Sequence, residues 1–151
     1  MADPRMTWQQ KNLAAALVTL VLSLMLVGVI SGTVLRHVVQ VIPAIVAILL
    51  VLRGHPGNRM ASMPILAFWL LIMILIWMTV TRVAKVVSGR FTASEVILTV
   101  IMGVACAVGL VASWRMPRAQ GRVMGLATFV IFGALQVGVM LLSFTPALAN
   151  R

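Results

Sequence analysis

Apolar residues run in long uncharged stretches along this chain, and charged residues collect between them. The stretches without Asp, Glu, Lys or Arg are 12–35, 37–52, 60–81, 96–114 and 123–150. None shows strand-like alternation, and no internal repeat links them. A helix needs roughly 20 apolar residues to cross a hydrocarbon core about 30 Å thick. The pattern therefore predicts five transmembrane helices, over Leu13–Ile30, Val34–Leu52, Pro64–Thr81, Ser94–Trp114 and Val123–Phe144. In lipid every backbone polar group must be satisfied internally, so the expected class is an all-α polytopic transmembrane bundle, one domain over 1–151. The second segment holds Gln40 and Pro43 and is the least hydrophobic; four spans remain if it is re-entrant.

The connections carry their own signals. Ser31-Gly32-Thr33 is a turn-forming trio, and Arg53–Arg59 is dense in Gly, Pro and Asn. Pro64 is expected near the first turn of the third helix, where its missing N–H costs nothing. Arg82 and Lys85, three apart with valines on the other face, predict that this helix runs out along the interface until Gly89 stops it. Thr92-Ala-Ser-Glu95 predicts a capping box at the start of the fourth helix. Arg115–Arg122 is a basic turn, and Pro146 follows the fifth span. Leu13–Ile30 is long for a signal-peptide core and no A-x-A site follows it, so it is read as a retained span.

Composition agrees with lipid as the solvent: 62% of residues are hydrophobic and 9% charged, against about 25% charged in a soluble domain. The net charge of +10 is scattered over short segments at helix ends. That distribution suits anionic lipid headgroups and builds no groove for nucleic acid. With five spans, Arg5, Lys11, Arg53, Arg59, Arg115, Arg118 and Arg122 share one side. Arg36, Arg82, Lys85, Arg90 and Arg151 share the other. The seven-to-five excess favours a cytoplasmic N-terminus; a re-entrant second segment makes it six and six.

Few residues carry candidate chemistry. Glu95 and Asp3 are the only acids. Glu95 at the edge of a span could bind a cation or shuttle a proton, but the capping box accounts for it directly. His37 and His55, the only histidines, fall at opposite ends of the second span, too far apart to share a haem or metal. The single Cys106 excludes an internal disulfide and is expected to pack as a small hydrophobe. No cofactor is expected. Gln40 and Gln136 are amides inside apolar helices, suited to interhelical hydrogen bonding and, alternatively, to lining a substrate path.

Small residues suggest close helix approach at Gly28 with Gly32, Gly103 with Ala107, Ala105 with Gly109, and Gly121 with Gly125. The slender fourth segment is the expected interior of the bundle. Trp69, Met73 and Trp77 form a bulky stripe that fills the bundle, faces lipid or docks a partner. Trp8 and Trp114 are expected at the interface. Arg82, Lys85, Arg90, Arg115, Arg118 and Arg122 are candidate anionic-lipid contacts, with topology anchoring as the plainer role of the last three. Together these features predict a small non-catalytic protein of a bacterial inner membrane. It is expected to be a structural or accessory subunit of a larger complex, or to bind itself. A homo-oligomeric transporter using Gln40, Glu95 and Gln136, and an anionic-lipid-binding regulatory protein, are the alternatives.

Overall fold

A computed structural model describes residues 6–84 and 92–145. It contains five helices: α1 (Trp8–Ile30), α2 (Val34–Leu52), α3 (Asn58–Val80), α4 (Ala93–Arg115) and α5 (Arg122–Ser143). All five are long and apolar enough to cross a bilayer, and no strand occurs among the described residues. The chain is a polytopic transmembrane helical bundle. Its 19-residue α2 is continuous through Pro43 and about 28 Å long at 1.5 Å per residue. It is a full-length helix rather than a re-entrant hairpin, and α5, not α2, is the least hydrophobic of the five.

The helices close into a ring in the order α1, α2, α5, α3, α4 and back to α1, with α2 and α3 also touching across it. Leu13, Leu17, Leu20 and Leu24 of α1 fill the centre, against Val41, Ala44, Ala47 and Val51 of α2. Ile65, Leu66, Trp69 and Met73 of α3 and Met102 and Cys106 of α4 complete it. These positions recur every three or four residues, one face per helix. Opposite faces remain exposed: Ile97, Val100, Val104, Val108 and Val111 all point outward from α4. No helix is enclosed by the others, so α4 is a ring member and not the interior element its slenderness predicts.

Several boundaries differ from expectation. α1 and α3 begin at Trp8 and Asn58, ahead of the expected starts at Leu13 and Pro64, because helical hydrogen bonding continues back through the more polar turns that precede them. Pro64 consequently lies inside α3, past its first turn. Its missing N–H leaves the Met60 carbonyl without its helical donor. At the other end α3 stops at Val80, and Arg82 adopts a left-handed φ of 61°. Arg82 therefore cannot continue a helical face toward Lys85; Lys85, Gly89 and Arg90 lie outside the described residues.

Candidate functional site

Connectivity gives the bundle two ends. The first holds the start of α1, the α2–α3 loop and the α4–α5 loop; the second holds the α1–α2 turn, the end of α3, the start of α4 and the end of α5. At the second end Ser31 Oγ donates to the Val27 carbonyl (2.8 Å) and meets Thr33 Oγ1 (2.5 Å). The Nδ1–H of His37 donates to the Thr33 carbonyl (2.9 Å). Gly28 accommodates the His37 ring, whose Nδ1 would lie 3.1 Å from a Cβ there, whereas Gly32 is a turn residue at φ +68° with open space around it. The two glycines therefore do not form one packing face. Arg36 sets its guanidinium over the Phe144 ring, 3.9 Å from its centroid.

One turn deeper, Gln40 Nε2 donates to Ser143 Oγ (2.8 Å), tying α2 to α5. Ser143 in turn donates to the Met140 carbonyl (2.7 Å). Gln136 lies two turns back on the same face of α5, fully buried, with neither amide atom hydrogen-bonded. The two glutamines are not brought together. Glu95 sits apart from both at the start of α4. Its Oε2 accepts from the Thr92 N–H (2.8 Å) and the Thr92 hydroxyl (2.9 Å), the geometry of a capping box.

The aromatic stripe of α3 belongs to the bundle. Trp69 and Met73 are buried in the core, and Trp77 Nε1 donates to Thr99 Oγ1 of α4 (3.0 Å). Gly103 is where the Trp77 ring lands, with Cζ2 2.6 Å from a hypothetical Cβ. Gly109 likewise admits Leu66 and Ala16, at 2.8 and 2.9 Å. The inward small ridge of α4 is thus Thr99, Gly103, Cys106, Gly109 and Ser113. Ala107 is exposed; a four-residue step overshoots one turn by about 40° and carries it past Gly103 to the lipid side. On α5, Gly125 faces Met60 (3.5 Å) while Gly121 is an exposed N-cap with nothing near it, so that pair also fails to share a face.

Helix α5 buries only Gly125, Gln136 and Ser143. Its opposite face exposes Ala127, Ala134 and Gly138 among Val123, Val130, Ile131 and Leu141. Trp8 and Trp114 stand exposed at the first end, as interfacial anchors do. Arg53, Arg115, Arg118 and Arg122 are exposed at the same end. Arg59 is different: it is buried to 9% exposure and its Nη1 donates to the Met116 carbonyl (2.7 Å), with Nε unpartnered. Sequence reading counts Arg59 as a loop charge; its burial depends on the α4–α5 loop folding over it. No group of three or more metal-ligating side chains occurs among the described residues.

Fold and contacts together define a polytopic α-helical membrane protein with two basic ends and sparse polar chemistry inside. Comparison of the chain with protein-family profiles, curated proteins and solved structures finds no match.

Proposed function

We propose that this protein is a small accessory subunit without catalytic activity of its own, associating with another membrane polypeptide or a second copy through the outer face of α5. The observation that carries the reading is the Ala134-x-x-x-Gly138 spacing on that face. Lipid chains make no demand for small residues, whereas an approaching helix does, because close backbone contact supplies the packing that drives association in a bilayer. The bulky flanks Val130, Ile131 and Leu141 would seat such a helix in the shallow groove between them. The polar groups Gln40, Ser143, Trp77 and Thr99 are engaged in joining helices within the ring, which leaves few for chemistry. The reading places the protein in a bacterial inner membrane, and the positive-inside bias supports a cytoplasmic N-terminus and α4–α5 loop.

Gentle extraction of the tagged protein followed by native mass spectrometry tests this. Co-purification at fixed stoichiometry is expected, and the Ala134→Leu, Gly138→Leu double variant should remain folded and lose the companion. A wild-type protein that runs as a bare monomer, or a variant that keeps its companion, would overturn the proposal.

A further inference from the structure

The α2–α3 connection turns on His55. Its N–H donates to the Leu50 carbonyl near the end of α2 (2.9 Å), and its carbonyl accepts from the Asn58 N–H at the start of α3 (3.0 Å). Its ring lies against Gly57, the N-cap of α3, whose N–H donates to Nδ1 at 3.0 Å. In α1 and α4 the N-cap N–H is held by an amide, Gln10, and a carboxylate, Glu95. In α3 a histidine takes that place. The bond fixes the tautomer, because a nitrogen that accepts an N–H keeps its lone pair and carries no proton. The hydrogen of the neutral ring is therefore on Nε2, and the residue is exposed to water.

Gly57 is buried between this ring and the α4–α5 loop. A Cβ placed on it would lie 3.1 Å from His55 Nδ1 and 2.9 Å from Gln120 Nε2. Two residues on, Arg59 donates to the Met116 carbonyl (2.7 Å), so the start of α3 and the α4–α5 connection are joined at two neighbouring points. The charged groups contributed by the elements of this end are Lys11 of α1, Arg53 after α2 and Arg59 of α3, with Arg115 of α4, Arg118 of the loop and Arg122 of α5. All are cations; Glu95, the one acid among the described residues, is at the opposite end. The N-terminus of α3 adds positive potential of its own. A second proton on His55 would meet only like charge and would remove the acceptor that Gly57 uses.

We propose that His55 is a proton-operated clasp: the neutral imidazole holds the N-cap of α3 against the α4–α5 loop, and the imidazolium releases both. Once protonated, Nδ1 is a donor facing a donor, so the ring turns away from the Gly57 N–H. Gly57 then loses its support on one side, and the contacts to Gln120 and Met116 lose their backing. Histidine changes charge between about pH 5 and 8, so mild acidification is enough to open the clasp. The geometry fixes the sign. The neutral form is the one bonded in the folded protein, so its contribution to stability is present at high pH and lost as pH falls. The clasp is independent of the α5 docking face, which lies on the outer surface of the ring.

Amide hydrogen exchange of the full chain in an uncharged detergent, corrected for the intrinsic effect of pH on exchange, reads the clasp at about pH 8 and about pH 5. From the higher to the lower pH the protection of the Gly57 amide should fall about threefold to tenfold, the factor carried by one hydrogen bond. The Met116 and Gly125 amides, bonded to the Ser113 and Gly121 carbonyls on either side of the α4–α5 loop, should lose protection with it. His55→Asn supplies an amide oxygen that accepts from the N–H two residues on at either pH, and should keep protection high throughout. His55→Ala should keep it low throughout. His37→Asn, which removes the other histidine, should leave the wild-type change intact. A Gly57 protection that ignores pH, a pH change that survives in His55→Asn, or a fall at Gly57 that leaves Met116 and Gly125 untouched would overturn the proposal.

Discussion

Gln40 and Gln136 are the same residue in the same kind of apolar helix, and the structure gives them opposite energetics. Gln40 has Ser143 at 2.8 Å. Interhelical bonds of this kind are worth about 0.6 kcal/mol on average and up to about 1.7 kcal/mol. Gln136 is fully buried with no partner for either amide atom, so removing its polarity removes a desolvation penalty. Gln40→Leu should therefore lower the unfolding temperature in detergent, and Gln136→Leu should leave it unchanged or raise it. A fall of equal size in both would show that Gln136 has a polar partner. At this scale the capping box of Thr92 and Glu95 is legible from sequence alone, because its partners are three residues apart. The pairing of Gln40 with Ser143 is not, since it joins residues about a hundred positions distant and depends on which helices become neighbours.

Helices in a bilayer approach as closely as their smallest inward residues allow. Gly103 and Gly138 sit in α4 and α5, yet the first receives the Trp77 ring and the second has nothing within 4 Å. Gly103→Ala should push α3 and α4 apart, destabilising the bundle by about 1–3 kcal/mol as overpacking does. The isolated protein should tolerate Gly138→Ala within about 0.5 kcal/mol. Thermal unfolding of both variants, read through Cys106 reactivity, checks the contrast; equal effects would mean that α3 and α4 yield at Trp77. The existence of every helix was legible as an uncharged run. The Gly103–Ala107 and Gly121–Gly125 spacings were misleading because a four-residue interval marks a shared face only approximately, and one partner of each pair turns outward.

For the whole molecule, five successive helices place the start of α1 and the end of α5 at opposite ends of the bundle and put His55 at the end where α1 starts. In a Cys106→Ala background, Gln9→Cys and His55→Cys should react with an impermeant thiol reagent from one side, the cytoplasmic side by the positive-inside rule. Val83→Cys should react from the other. Labelling of Gln9→Cys and His55→Cys from different sides would restore the re-entrant path for α2. The seven-to-five charge division is the basis for expecting this orientation, and its margin is small. Neutralising the arginines of the α4–α5 loop is the change most able to reverse it.

By itself the sequence determines that this chain is a helical membrane bundle and where each span begins and ends to within about two turns. Those properties follow from hydrocarbon thickness and from backbone hydrogen bonding, which act locally and leave their mark as length and polarity. Tertiary structure alone decided the ring order, the placement of the Trp69–Met73–Trp77 stripe inside it, and the burial of Arg59 beneath the α4–α5 loop. The reason is physical. In water the hydrophobic effect separates inward from outward faces, so a pattern of polarity reveals them; in lipid both faces are apolar, and only the fit of one helix surface against another distinguishes the two.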